Sequence, residues 1–277
     1  MVRTALLFGL LTGILLAIGY LFAGFAGMTL FLIIAFVINF SAYWFSDRIV
    51  LSMYKAKEIT KSDEPKLHEI VENLAEEAGI PKPRVYLVRS ESPNAFATGR
   101  SPKNAAVAVT SGLLDNLNWD EVEGVLSHEI AHIKSRDTLT STIAATIAGA
   151  IAYIAQMAWW SMFLGDRRRG SGGSIMLLPL IILAPLAATL VQLAISRTRE
   201  YKADRNGSIL SKKPLSLASA LKKISEAASR NPMRGNAATS HLFIVNPFKG
   251  DSFVNLFSTH PPVAERVKRL EQMAKEI

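Results

Sequence analysis

Long apolar blocks alternate along the chain with stretches of mixed polarity. The first two blocks run from about residue 5 to 26 and from about residue 28 to 44, and neither contains a charged residue. Each approaches the roughly 20 residues that a membrane-spanning helix needs. A cleavable signal peptide is the alternative for the first block, but the second block follows at once and no clear cleavage site separates them. The pattern predicts an N-terminal transmembrane hairpin that turns at Gly24 to Gly27.

Two later apolar blocks predict a second hairpin, which either spans the bilayer or only dips into it. They run from about residue 139 to 164 and from about residue 175 to 195, with a loop rich in Arg and Gly between them. The chain therefore divides into an N-terminal hairpin (1–48), a first globular segment (49–138), the second hairpin (139–195) and a second globular segment (196–277).

The stretch between the hairpins has the patterns of a globular domain. Apolar residues recur at helical spacing over residues 64–78, and Gly79 ends this helix as a cap. Residues 84–88 predict a strand. Two short runs, 94–98 and 105–109, surround a Pro/Asn turn and predict a β-hairpin.

A further helix is predicted over residues 120–135. Asp120 would be its N-cap, with Glu123 at the capping-box position. It carries His128-Glu129-Ile130-Ala131-His132. Residues i and i+4 lie one turn apart on a helix face, so the two imidazoles can bind one metal ion. Glu129 can then reach a metal-bound water, as metal-assisted peptide hydrolysis requires.

A zinc site needs a third protein ligand and an open position for water. Glu200 and Asp204 are again four residues apart on one predicted helix face. One carboxylate could bind zinc while the other accepts a hydrogen bond from a ligand imidazole. The alternative is a surface helix with alternating charges. An antiparallel second hairpin would bring both helices out at the same membrane face, which favours the metal site.

Composition narrows the possible partners. The chain has 277 residues, is 49% hydrophobic and contains no cysteine, which excludes disulfides and thiolate metal sites. The net charge is +8, but the Lys and Arg residues are scattered without interleaved aromatic residues. Many of them flank the apolar blocks. This distribution suits an anionic lipid bilayer better than nucleic acid, which we do not expect as a partner. No sequence feature specifies an oligomeric state.

These motifs together resemble the HtpX-type membrane metalloproteases, which are relatives of the CAAX prenyl endopeptidases within the gluzincin zinc proteases. The resemblance covers nearly the whole chain. It is carried by both hairpins, the Pro-Asn-Ala-Phe-Ala-Thr-Gly run at 93–99, the His-Glu-Ile-Ala-His motif, Ser-Arg-x-x-Glu-Tyr-x-Ala-Asp at 196–204 and Thr-His-Pro-Pro at 259–262.

The resemblance implies a fold and a set of functional residues. The expected fold is a mainly α-helical membrane protein, with two apolar helical hairpins and a gluzincin-type domain whose small β-sheet lies near the active site. One Zn²⁺ per chain would be held by His128, His132 and Glu200, with Glu129 as general base and Asp204 as the supporting acid. His260 would assist catalysis, and the predicted substrate-binding residues are Asn94, Ala95, Phe96 and Arg266.

The residue pattern at 94–98 supports a further prediction that does not depend on the resemblance. These residues could form an exposed edge strand, and proteases often bind an extended substrate by adding it to such an edge. Asn94 could instead be a simple turn residue.

The expected function is that of a membrane-anchored zinc endopeptidase that hydrolyses membrane or misfolded proteins. The helical rise places the site roughly 10 to 15 Å from the bilayer. A specific processing protease of the prenyl-peptide type is one alternative. An inactive membrane scaffold is another, although an inactive relative would usually lose Glu129.

The distribution of Lys and Arg predicts the orientation in the cell membrane. Two N-terminal spans return the chain to the side where it began, so the N-terminus and the protease domain share a face. Most Lys and Arg residues near the block ends lie on that face, which places the protease domain in the cytoplasm. Arg167 to Arg169 would lie on the other face, which weakens the case for a fully spanning second hairpin.

Overall fold

The structure is a computed structural model, and it describes residues 2–147, 197–233, 237–248 and 261–276. Residues 137–147 are helical, and short 3₁₀ helices span Pro102–Asn104 and Ala237–Leu242. The other elements are α1 (Val2–Met53), β1 (Lys57–Glu58), α2 (Pro65–Ala78), β2 (Arg84–Val88), β3 (Ala95–Gly99), β4 (Ala105–Thr110), α3 (Ser111–Asn116), α4 (Trp119–Lys134), α5 (Arg197–Ser211), α6 (Pro214–Arg230) and α7 (Val263–Met273).

The helix α1 folds back on itself as the apolar pattern predicts. Ala23 and Gly24 leave the helical conformation, and Gly24 has a φ of 56°, which glycine adopts without strain. The two halves lie side by side, since the Asn39 amide donates to the Thr12 hydroxyl at 2.9 Å. The N-terminal hairpin is therefore confirmed, with its turn slightly earlier than predicted.

Both halves of α1 are long and apolar enough to cross a membrane. The second, Ala23–Met53, is only 11% buried, whereas the core helix of a soluble protein is mostly buried. Of the predicted second hairpin, only residues 139–147 are described; they are helical and pack on the first hairpin. The remaining residues of that hairpin lie outside the described ranges.

A four-stranded mixed sheet has the order β1-β2-β4-β3. The predicted hairpin of β3 and β4 is confirmed as an antiparallel pair, and β4 runs parallel to β2. Gly99 ends β3 with a φ of 128°, and a Cβ there would lie 2.1 Å from the Asn104 carbonyl oxygen, so the turn requires glycine. The strand β3 is at the edge as predicted, but all five of its residues are buried.

The sheet lies between two apolar clusters. One face packs against α2, α4, α6 and α7. The other face packs against the end of α1, where Tyr54 contacts Phe96 and Phe243. The N-terminal hairpin and the sheet are therefore joined by a continuous aromatic contact.

The helix α4 begins two residues earlier than the sequence pattern suggests. Asn118, not Asp120, is the N-cap, and it forms a reciprocal capping box with Glu121. Asp120 and Glu123 instead each accept from the Lys213 ammonium at 2.6 Å. Asn118 with Glu121 and Asp120 with Glu123 both have the spacing of a capping box. The sequence alone did not show that Lys213 would bind Asp120 and Glu123.

Two glycines allow neighbouring helices to approach α4 closely. A Cβ at Gly207 of α5 would lie 2.8 Å from the His128 backbone nitrogen. A Cβ at Gly124 of α4 would lie 2.8 Å from the Leu217 backbone nitrogen at the start of α6. The first of these contacts sets α5 directly against the start of the His-Glu-Ile-Ala-His segment.

Candidate metal centre and active site

Three side chains that could hold a metal ion meet where α4 and α5 cross. The Nε2 atoms of His128 and His132 are 3.2 Å apart. The Glu200 carboxylate oxygens lie 3.7 Å from His128 Nε2 and 3.4 Å from His132 Nε2. The structure thus brings together the three residues that the sequence suggested as ligands, from two helices separated by two apolar blocks.

These separations fit a tetrahedral metal ion. Two ligand atoms at about 2.0–2.1 Å from a tetrahedral zinc lie about 3.3–3.4 Å apart. Two neutral imidazoles and one carboxylate are a donor set found in catalytic zinc sites, which keep a fourth position for water. The group is therefore suited to hold one zinc ion without rearrangement of the helices.

A buried Arg-Asp pair fixes the orientation of His128. The Nδ1 atom of His128 is 2.9 Å from Asp204, which is one helical turn beyond Glu200. The Arg266 guanidinium donates two bonds to Asp204, at 2.6 and 2.8 Å, and a third to the Ile244 carbonyl at 2.7 Å. Burial raises the pKa of Asp204, but Arg266 outweighs it and holds the pKa at about 2.

A second Arg-Asp pair stands behind His132, and the sequence analysis missed it. The Nδ1 atom of His132 is 3.5 Å from Asp137, and Asp137 pairs with Arg199 at 3.2 Å. Asp137 follows the end of α4, where Arg136 adopts a left-handed φ of 57°. Helical periodicity stops at that residue, so no spacing rule could connect Asp137 to the motif.

Burial and neighbouring charges shift the pKa values of the metal-free site. Burial lowers the pKa of His128 to about 4 and raises the pKa of Glu129 to about 7. Burial also lowers the pKa of His132, but Glu200, Asp137 and Glu129 outweigh it and raise the pKa to about 9. His132 therefore carries a proton at neutral pH that a metal ion must displace.

Glu129 faces an open cavity next to the sheet edge. The backbone N–H of Ala97 in β3 stabilises its charged form, and Ala97 lines the same cavity. His241 also lines it and lies 3.1 Å from the Ser141 carbonyl oxygen. Because His241 lies on a short 3₁₀ helix far along the chain from the motif, the sequence offered no signal for its position.

The predicted substrate-binding residues before Ala97 do not reach the cavity. Asn94 is fully buried, and its amide donates to the Val245 carbonyl at 2.7 Å. Phe96 is 1% exposed and packs against Tyr54 and Phe243. The Ala95 carbonyl accepts from the Ile244 N–H at 3.2 Å. These residues hold the strand in place, and the expectation of a direct substrate contact is corrected for each of them.

Arg266 also requires a correction. It is fully buried, with its guanidinium committed to Asp204 and the Ile244 carbonyl. The side chain is therefore inaccessible to a substrate and instead supports the metal ligands. His260, predicted to assist catalysis, lies outside the described residues.

Comparison with known proteins finds a family of peptidases. The family model "Peptidase family M48" matches residues 61–274. A "Protease HtpX homolog" of Pyrococcus furiosus is 57% identical over 279 residues, covering 100% of this chain and 96% of that protein. One of Persephonella marina is 53% identical, with coverages of 100% and 98%. The crystal structure of S. mikatae Ste24p gives a TM-score of 0.47 at 18% identity, covering 98% of this chain, which spans 65% of the length of Ste24p.

Replacing Arg266 by Met should strongly destabilise the protein. The substitution leaves the buried Asp204 charge without its partner, which costs about 3–5 kcal/mol of unfolding free energy. Arg269→Met on the same helix is the matched control. Arg269 is exposed, bonds to Glu265 at 2.8 Å and lies over the Tyr201 ring, so its loss should cost much less than the loss of Arg266. Chemical denaturation in detergent measures both, and equal losses would contradict the assigned role of Arg266.

Proposed function

The chain belongs to peptidase family M48 as a membrane-associated protease of the HtpX type, and we propose that it is a zinc endopeptidase that cleaves membrane or misfolded proteins. The observation that carries the proposal is the meeting of His128, His132 and Glu200 at separations that suit one tetrahedral ion. Glu129 lies beside them on the cavity wall.

The chemistry divides between the metal and the protein. A zinc ion, when bound, supplies Lewis-acid catalysis and makes water a nucleophile at neutral pH. Glu129 takes the proton from the attacking water and then passes it to the leaving amine. Burial favours this role, because it raises the pKa of Glu129 to about 7 in the metal-free site, near the value that suits a group that both accepts and donates a proton.

The two supporting carboxylates fix the imidazoles. Asp204 and Asp137 each accept from the Nδ1 side of one histidine, which leaves both Nε2 atoms directed at the metal position. Arg266 and Arg199 in turn hold the carboxylates. The ligands therefore need little reorganisation when zinc binds.

Loss of a ligand and loss of the base should have different signatures. Glu200→Ala should lower both the zinc content and the cleavage of casein, an unfolded substrate. Glu129→Gln keeps the side-chain size and should retain about one zinc per chain, while activity falls by roughly 10²–10⁴-fold because the proton acceptor is lost. Metal analysis and a casein assay on detergent-purified protein measure both quantities.

Two results would contradict these assignments. Full zinc content in Glu200→Ala would remove Glu200 from the ligand set. Parental activity in a zinc-loaded Glu129→Gln protein would remove Glu129 as the base.

The substrate backbone is proposed to pair with β3 at Ala97. Thr110 N–H donates to the Asn94 carbonyl, so in this antiparallel ladder Asn94, Phe96 and Thr98 bond to β4. Ala95 and Ala97 alternate with them and direct their main-chain groups outward. Ile244 uses the outward carbonyl of Ala95, and the Ala97 N–H bonds to Glu129. The Ala97 carbonyl is therefore the position next to Glu129 at which an extended substrate would pair.

N-methylation of a peptide substrate tests this pairing without altering the enzyme. Methylating the one amide that donates to Ala97 should raise KM about fivefold, the effect of one lost hydrogen bond. Methylation several residues from the cleaved bond is the control and should have no effect. If no position near the cleaved bond is sensitive, the proposed pairing is wrong.

We further propose a multi-pass arrangement in the cell membrane with the protease domain in the cytoplasm. Residues 1–48 and 139–195 would be the membrane segments, and residues 49–138 and 196–277 would form the protease domain. The excess of Lys and Arg on the protease side supports this orientation.

Single cysteines can test the orientation, because the chain has none of its own. Ala26 is exposed at the tip of the first hairpin, and Ser62 is exposed in the protease domain. In intact cells, Ala26→Cys should react with a membrane-impermeant thiol reagent, while Ser62→Cys should react only after the cells are lysed. Labelling of Ser62→Cys from outside would contradict the cytoplasmic assignment.

A further inference from the structure

An open groove of about 720 Å³ lies where the second half of α1 meets the sheet. We call it the interfacial groove. Phe40, Trp44 and Phe45 of α1 form its aromatic wall, and Arg48, Arg100 and Lys103 stand on its basic rim. None of its lining residues lines the cavity of the metal site.

The aromatic wall marks the level of the membrane surface. Trp44 and Phe45 end the apolar part of α1, and the first charged residues, Asp47 and Arg48, follow directly. Aromatic residues concentrate at this depth of a bilayer because their rings suit the boundary between hydrocarbon and headgroups. Earlier on the same helix, Ile33 and Phe36 are exposed apolar side chains that acyl chains would cover.

The groove carries an excess of positive charge. Five cationic side chains and one carboxylate, Asp47, line it. Asp47 is paired with Arg84 at 3.0 Å, and Lys82 is paired with Glu72 at 2.8 Å. Within the described part of the chain, the cations of the basic rim have no acidic partner within 4 Å.

Arg100 joins the two parts of the groove. Its guanidinium lies over the Trp44 ring, 4.4 Å from the centroid, and it donates to the Trp44 carbonyl at 3.5 Å. Arginine held in this way keeps several donors directed outward, and it suits bidentate bonds to phosphate. The groove therefore combines a phosphate-binding edge with an apolar wall that continues along the membrane helix.

We propose that the interfacial groove binds one anionic phospholipid. Its phosphate lies among Arg48, Arg100 and Lys103, and its acyl chains run along α1 past Phe40. A free phosphate ion would use the basic rim but would leave the aromatic wall without a partner. The proposal does not depend on the peptidase activity or on the metal.

The groove also connects the bilayer to the active-site strand. Arg100 directly follows Gly99, the last residue of β3, and Ala97 of that strand lines the metal-site cavity. A lipid bound to Arg100 therefore fixes the turn after β3 relative to the membrane surface. The depth of the cavity above the bilayer is then set by a lipid contact as well as by α1.

Native mass spectrometry of the full chain, released from detergent with equal amounts of phosphatidylglycerol and phosphatidylcholine, tests the proposal. The parent chain should retain one phosphatidylglycerol with at least a tenfold preference. Each cation near the membrane surface contributes about fivefold in affinity, so Arg48→Gln with Arg100→Gln should weaken phosphatidylglycerol binding about 25-fold.

Lys55→Gln with Lys57→Gln is the matched control. It removes two cations just after α1 that do not line the groove, and it should change binding by less than about threefold. Equal weakening in both double variants would show diffuse surface attraction and overturn the site. A parent chain without headgroup preference would overturn it as well, whether or not the variants fold. Displacement of the lipid by millimolar glycerol 3-phosphate would show a site for soluble phosphate and contradict a lipid site.

Discussion

The buried ion pair between Arg266 and Asp204 is the contact on which the arrangement of the site depends. It joins α7 to α5, and through His128 Nδ1 it reaches α4, so three segments distant in sequence meet at one carboxylate. An isolated charge could not remain in this environment, because desolvation of a buried ion costs several kcal/mol. The bidentate geometry and the third bond to the Ile244 carbonyl offset that cost and leave a single well-defined orientation for His128.

The N-terminal hairpin and the candidate active site form one packed unit in the described part of the chain. Tyr54, just after α1, packs against Phe96 and Phe243, while Ala97 and Phe243 themselves line the cavity. The helical segment 137–147 continues from Asp137, which supports His132, to residues that pack on the first hairpin. The position of the site relative to the N-terminal hairpin is therefore a consequence of packing on both sides of the sheet.

Much of the fold and of the candidate site could be predicted from the regular spacing of residues along the chain. Regular spacing predicted the hairpin turn near Gly24, the strands β2 to β4, the pair His128 and His132, and the pair Glu200 and Asp204. Spacing left open which carboxylate faces the metal position, and the family resemblance implied Glu200. Prediction of the site residues failed where the position of a side chain depends on contacts with segments distant in sequence. Asn94 and Phe96 follow a strand pattern, but the segment at 242–248 covers them. Asp137 begins a new helical segment after the break at Arg136, and His241 lies on a short 3₁₀ helix, so no helical periodicity connects either residue to the motif.

X-ray absorption at the zinc edge of the purified parent protein tests the central claim most directly. The account predicts about one zinc per chain in a four-coordinate shell, with two imidazole nitrogens at about 2.0–2.1 Å and the remaining ligands oxygen. The characteristic outer-shell scattering of imidazole should correspond to two histidines. A six-coordinate oxygen shell without imidazole scattering, or protein that binds no zinc, would contradict the assignment of His128, His132 and Glu200 as the metal site.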